Sequence, residues 1–251
     1  MTPPIARPAI EVEGLTVVFG RFAALSDLSF HVHYGEVRGL IGPNGAGKTT
    51  LLDVLTGKSR ACAGRIVLDG TIDLGAMTEV ARVAAGIGRK FQKPSVFEAL
   101  SVWDNLDLAC RLHPGSLMRE VVARAASKRA RIEHLIELVA LADHSHHRAG
   151  SLSHGQKQWL EIAMVLVQEP KVLLLDEPVA GMSDEETART ASLVRSLRKP
   201  DRSIIVVEHD MDFVEQVADG VTVLQDGRTL FEGSMAAARR DPRVIEGYIG
   251  R

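Results

Sequence analysis

The run Gly42-Pro43-Asn44-Gly45-Ala46-Gly47-Lys48-Thr49-Thr50 constrains this 251-residue chain more than any other feature. It follows a strand-like segment ending at Ile41 and precedes a helical spacing from Lys48 to Leu55. Gly45 and Gly47 permit backbone conformations that a side chain would block, so successive N–H groups can turn inward onto phosphate oxygens. The helix that follows adds its positive N-terminal end. In this setting Lys48 is placed to reach the terminal phosphates of ATP and the Thr49 hydroxyl to ligate Mg²⁺. The loop therefore predicts an ATP-binding chain.

The flanking pattern supplies the context that the loop needs. Residues 10 to 41 alternate apolar and polar positions in short segments, Glu11-Val12, Leu15 to Phe19, Leu28 to His33 and Glu36 to Ile41, which read as strands with glycine turns. Arg65 to Leu68 and Ile87 to Phe91 are further strand candidates around a helix from Thr78 to Ala85. From Ser101 to Leu141 the strand signals vanish. Leu117, Val121, Ile132, Leu135, Ile136 and Val139 recur there at three- and four-residue steps, as in a separate helical subdomain.

Beyond it the spacing predicts helix 155–167, strand Val172 to Leu175, helix 184–197, strand Ile204 to Val207, helix 211–217 and strand Val221 to Leu224. Strands alternating with helices argue for an α/β fold with a mostly parallel sheet covered on both faces.

Composition excludes several classes. A formal net charge of -2 lacks the basic excess of a protein held by nucleic-acid phosphates. The basic residues Arg119, Arg124, Lys128, Arg129 and Arg131 then read as a solvated helix face. No run approaches the roughly 18 apolar residues that span a bilayer, so a membrane role must come through a partner. Cys62 and Cys110 lack metal-ligand spacing, and His144, His146 and His147 read as a solvated loop.

Two further sites carry chemistry. Asp176 and Glu177 end the apolar strand Val172 to Leu175, where Asp176 can hold Mg²⁺ through a water and Glu177 can polarise the water that attacks the γ-phosphate. His209 follows the next buried strand and should emerge on the same sheet edge, within reach of that phosphate or water.

Together with Leu152-Ser153-His154-Gly155-Gln156, the order of these motifs resembles the nucleotide-binding subunits of ABC transporters across essentially the whole chain. The resemblance implies a P-loop NTPase (RecA-like) core with an antiparallel β subdomain and an inserted α-helical subdomain at about 93–165, the whole of 1–251 forming one nucleotide-binding domain. It assigns Gly42, Pro43, Asn44, Gly45, Ala46, Gly47, Lys48, Thr49 and Thr50 to the phosphate loop. Gln92 becomes the Q-loop glutamine and a metal ligand beside Thr49 and Asp176. Phe19 becomes the aromatic that stacks on adenine, a core phenylalanine being its structural rival. Glu177, His209 and Lys48 are implied as catalytic.

Such subunits work as head-to-tail dimers, so Ser153, Gly155 and Gln156 would face ATP bound to a second ABC ATPase subunit. The implied cofactors are ATP and Mg²⁺. The implied partners are membrane-spanning permease subunits, reached through residues 93 to 104 with Phe97 and Trp103, and indirectly a substrate-binding protein. The implied place is the cytoplasmic face of the membrane.

Stretches 88–97, 152–162 and 176–182 look most like the urea-importer type. The branched-chain amino-acid importers are the nearest rival, and a soluble assembly ATPase of the same superfamily is a more distant one. Two residues depart from the family pattern. His154 stands where glycine is common, which is tolerable only if its φ is not positive, and Ser183 stands where an aspartate is usual.

Overall fold

A computed structural model describes residues 8–92, 95–111 and 121–249. Leu117 and Arg119, and the side chains of Val121 and Arg124, lie outside this set, as do Lys93 and Pro94.

Two sheets organise the described residues. The first is antiparallel, in the order β2-β1-β4-β5, with β1 Pro8–Phe19, β2 Phe22–His33, β4 Ala63–Leu68 and β5 Ile72–Asp73. The sequence divides β1 into two segments. In the structure it is one strand whose pairing with β2 shifts register between Val12 and Leu15, around Gly14.

The second sheet runs β10-β9-β3-β8-β7-β6, from β10 Arg228–Gly233 through β9 Gly220–Gln225, β3 Val37–Ile41, β8 Ser203–Val207 and β7 Val172–Asp176 to β6 Ile87–Lys90. The pairings of β9, β3, β8, β7 and β6 are all parallel, and only β10 returns antiparallel. Sequence spacing overlooks β10, although Asp226 and Gly227, at φ 48° and 74°, form the left-handed turn that an Asp-Gly pair signals.

Period-two alternation divides the core between the faces of this sheet. Leu173, Leu175, Ile204 and Val206 pack with the helical layer. Val172, Leu174, Ile205 and Val207 face the antiparallel sheet and α1, Lys48–Thr56. Between β4 and β6 lies α2, Glu79–Ala85, capped by Thr78, which the sequence places inside the helix.

The helical layer holds α3 Val102–Arg111, α4 Val121–Leu138, α5 His154–Leu166, α6 Asp184–Ser196 and α7 Met211–Val217. Val102, Leu106, Ile132, Leu135, Ile136 and Val139 bury together with Trp159, Leu160 and Ala163. The steps from Ile132 to Val139 seen in the sequence are thus the packing seam. The cations on this surface are paired: Lys128 with Asp107, Arg129 with Glu133 and Arg131 with Glu169. No helix among the described residues is long and apolar enough to cross a membrane.

Because β3, β6, β7 and β8 are parallel, their carboxyl ends share one edge of the sheet. The loop at 42–47, Gln92, Asp176-Glu177 and His209 all leave the sheet there, where open α/β sheets place their ligands.

Candidate functional site at the carboxyl edge of the parallel sheet

β3 delivers the chain to Gly42, at φ 146°, where an added Cβ would lie 2.2 Å from the Leu224 carbonyl oxygen. Gly47, at φ 102°, starts α1 without a side-chain cap. Its own Cβ would meet Leu25 at 2.6 Å and the Ala24 carbonyl oxygen at 2.8 Å. Backbone geometry and close packing both require glycine at these two positions.

Among the described residues the N–H groups of Gly45, Gly47, Lys48, Thr49 and Thr50 find no acceptor, whereas Ala46 donates to the Pro43 carbonyl at 3.2 Å. Five free donors at the positive end of a nine-residue helix form an anion cradle. Asn44 and Thr49 are exposed and Thr50 is half-buried.

Lys48 is buried, and its Nζ donates to the carbonyl oxygens of Gly42 at 2.6 Å and Pro43 at 3.0 Å. The sequence sends this ammonium outward to phosphates. Here the ammonium folds back because a buried charge needs acceptors and its own loop supplies them. Burial lowers its pKa, with Glu177 and then Asp176 acting the other way, so both carboxylates act on this ammonium.

Glu177 is the convergence point. Its Oε2 accepts from Gln92 Nε2 at 2.6 Å, and its Oε1 lies 3.2 Å from His209 Nε2. Strand order brings together three side chains that are 85 and 32 residues apart in sequence. Glu177 holds a left-handed φ of 46°, fixed by its N–H on the Val207 carbonyl at 2.9 Å. A non-glycine residue in that region costs on the order of 1–3 kcal/mol, a strain that clusters at functional sites.

Asp176 is buried and its Oδ2 accepts from Arg89 Nη2 at 2.7 Å. Thr49, Gln92 and Asp176 offer a hydroxyl, an amide oxygen and a carboxylate, the hard oxygen donors that suit Mg²⁺. Among the described residues no group of three His, Cys, Asp or Glu could hold a metal unaided. Mg²⁺ keeps waters and takes substrate phosphates beside one or two carboxylates, so a site for it needs no such group.

The Leu152–Gln156 segment lies elsewhere. Ser153 caps α5 in a reciprocal capping box with Gln156, and its Oγ donates to Glu186 Oε1 at 3.2 Å. Gly155 packs against the Glu186 carboxylate, which a Cβ there would push aside. Among the described residues no hydrogen bond or ion pair joins Ser153, Gly155 or Gln156 to the loop at 42–50.

His154 avoids positive φ, and its ring lies 3.1 Å from the Ala180 carbonyl oxygen. The condition set by the sequence is met. Ser183 caps α6 in a second capping box, with Glu186. Its hydroxyl therefore has a local helix-ending use that an aspartate would also serve. Phe19 is 53% exposed opposite Phe22 in the β1–β2 hairpin, so it is not a core residue.

Sequence reasoning missed a charged layer beneath Glu177. Lys90 is fully buried and donates to the Asp176 carbonyl at 3.2 Å. Glu208 accepts from the Val179 and His209 amides at 2.9 and 3.1 Å, holding both loops that flank the site. Glu161, on α5, is buried, and the backbone at Phe91 and Ser95, on either side of Gln92, favours its charged form. The available signal was charge inside otherwise apolar elements: Arg89-Lys90 in a strand, and Glu161 among Trp159, Leu160 and Ile162.

Burial raises the Glu161 carboxyl to about 7, against the opposing pull of Lys90 and that backbone. Its contribution to stability is therefore full below the unfolded value and lost as pH rises through about 7. The shift corresponds to roughly 3 kcal/mol. Glu161→Gln, neutral and of similar shape, should match wild type near pH 5 and exceed it by roughly 1–3 kcal/mol at pH 8.5. Denaturant melts at the two pH values measure this, and parallel profiles would contradict it.

Known proteins share this chain's sequence pattern and fold. Residues 25–180 match the family described as ABC transporter. The high-affinity branched-chain amino-acid transport ATP-binding protein BraF of Pseudomonas aeruginosa is 34% identical, covering 98% of this chain and 99% of its own length. LivG of Escherichia coli, of the same description, is 33% identical with the same coverage. Among solved structures, MJ1267, an ATP-binding cassette of an ABC transporter, superimposes with a TM-score of 0.85 at 28% identity over 97% of this chain and 99% of that one. CbiO1 of Clostridium perfringens gives 0.82 at 29%, over 98% and 96%. The loop, the edge it shares with Glu177 and His209, and these full-length likenesses lead to one assignment: the chain belongs to the ABC transporter family, as an ATP-binding subunit.

Proposed function

We propose that the chain is the Mg²⁺-dependent ATPase subunit of an importer, acting as one nucleotide-binding domain over 1–251 with a helical insert at about 93–165. The convergence of Gln92, Glu177 and His209 beside five unpaired loop amides carries this reading. The loop amides of 42–50 cradle the phosphates, and Lys48 leaves its two carbonyls to meet the terminal oxygens. Phe19, exposed on its hairpin, stacks on adenine. Glu177 orients and deprotonates the water that attacks the γ-phosphorus as the bond to the bridging oxygen breaks, while His209 and Lys48 stabilise the charge that develops. Thr49, Gln92 and Asp176 would hold Mg²⁺, which neutralises phosphate charge when bound. The chain's own contribution is the placement of these donors before ATP arrives.

Ser153, Gly155 and Gln156 then serve ATP bound to a second ABC ATPase subunit, a reading supported by the lack, among the described residues, of any hydrogen bond or ion pair from them to the loop of their own chain. Permease subunits place the protein on the cytoplasmic face of the membrane and bring a substrate-binding protein into the same complex. The surface that meets them includes Phe97, which is 51% exposed, with Trp103 half-buried at the base of α3. A charge at Phe97 that left transport intact would remove it from that surface.

BraF and LivG support branched-chain amino acids as cargo. Urea is the second reading, carried by stretches 88–97, 152–162 and 176–182 of this chain. ATPase activity of the reconstituted complex decides between them: leucine stimulation is the expected result, stimulation by urea alone would establish the second reading, and stimulation by neither would sink an importer of this branch.

A further inference from the structure

Among the described residues Arg89 touches both the helix behind the phosphate loop and the carboxylate at the end of β7. Its Nη1 donates to Asp53 Oδ1 on α1 at 2.6 Å, and its Nη2 donates to Asp176 Oδ2 at 2.7 Å. The side chain is 4% exposed, and its guanidinium carbon lies 4.7 Å from the Phe91 ring centroid. Three elements therefore meet on one planar group: α1, the end of β7, and the segment leading into Gln92.

We propose that Arg89 is a positioning residue for the metal: it fixes Asp176 by one oxygen, leaves the other for Mg²⁺, and ties that carboxylate to the phosphate-loop helix through Asp53. The inference rests on the proposed reading of Asp176 as a metal-holding residue.

The physical case lies in the fork. A guanidinium presents two donors in a fixed plane, so it can hold two carboxylates at a set separation, whereas an ammonium is a flexible point charge. Asp176 alone at the strand end would be free to rotate, and Asp53 alone would anchor nothing. Bridged, the loop helix and the strand edge keep a constant spacing, which a metal shared between Thr49 and Asp176 requires. Lys58 reaches Asp53 at only 3.7 Å with its side chain 57% exposed, so it cannot replace the buried arm.

The test uses the full chain with Mn²⁺ as the metal probe, its binding in the presence of ATP read by electron paramagnetic resonance. ATP binding in EDTA is measured in parallel. Arg89→Lys retains charge and loses the fork. It should raise the Mn²⁺ midpoint about tenfold while leaving metal-free ATP binding unchanged. Asp53→Asn cuts only the arm to α1 and should raise the midpoint by a smaller factor; it also carries the test if Arg89→Lys does not fold.

A wild-type Mn²⁺ midpoint in the folded variant would overturn the proposal. So would a loss of ATP binding that is equal with and without metal, which marks general structural damage. If wild type itself gained no ATP affinity from Mn²⁺, the metal reading beneath the proposal would fail instead, and the two failures are distinguishable.

Discussion

Glu177→Gln should retain ATP binding and lose hydrolysis by about 100- to 10,000-fold in the assembled complex. The geometry gives three reasons. The carboxylate is the shared acceptor for Gln92 and His209, the arrangement expected of a group that holds the attacking water. Glutamine keeps the shape and can still accept from Gln92, which preserves the local packing. It cannot take a proton, and removal of a general base costs an amount of this order.

The left-handed φ of 46° is set by the backbone bond to Val207 and should survive the substitution. Stopped-flow nucleotide binding and phosphate release measure the two halves separately. Wild-type phosphate release in this variant would remove Glu177 from the role of base and shift attention to His209. A loss of binding equal to the loss of hydrolysis would mean that Glu177 holds the loop together and does not act on water.

The parts of this site legible in the sequence are those that depend on local geometry. A glycine-rich loop between strand and helix is a local arrangement, and its anion cradle follows from the same residues that spell it. The strand ends at Asp176 and His209 are also local, because short apolar runs mark buried parallel strands and parallel strands share an edge.

The missed features depend on partners distant in sequence. Arg89 meets Asp53 and Asp176 across 36 and 87 residues, and no periodicity encodes such a pairing. Glu161 breaks the apolar face of α5, and without the fold its neighbours at Ser95 and Phe91 are invisible. Ser183 shows a local role that the family comparison did not register. Compared with a family pattern it is a missing carboxylate, whereas in the structure it completes a helix cap with Glu186.

The direction of the Lys48 side chain was also beyond sequence reasoning. Its ammonium lies on the Gly42 and Pro43 carbonyls, so on the proposed reading it must leave them when phosphate binds. The segment at 153–156 is arranged differently. Ser153 Oγ donates to the Glu186 carboxylate, and Gly155 packs beneath it, so an internal anion already faces that helix end. A phosphate presented by a second subunit would have to displace Glu186, while a phosphate entering the loop displaces only the contacts of Lys48.

This asymmetry yields a prediction for each half of the site. The loop amides should respond to ATP in the isolated chain, and the 153–156 amides should respond only when a second subunit closes over them. Unpaired N–H groups exchange rapidly, and each gains protection when it donates to a phosphate oxygen. The effect on the loop should be large, on the order of tenfold or more per amide, because the five donors begin without acceptors. The amides of 153–156 begin partly satisfied by the Ser153–Gln156 capping box, so their gain depends on the partner's ATP.

Amide hydrogen exchange, with and without Mg-ATP, in the isolated chain and in the assembled complex, therefore tests the central claim most directly. The account predicts ATP-dependent protection confined to about residues 42–50 in the isolated chain, abolished by Lys48→Ala, with protection of 153–156 added only in the complex. Unchanged exchange at 42–50 in the presence of saturating ATP, or protection of 153–156 in the dilute isolated chain, would contradict it.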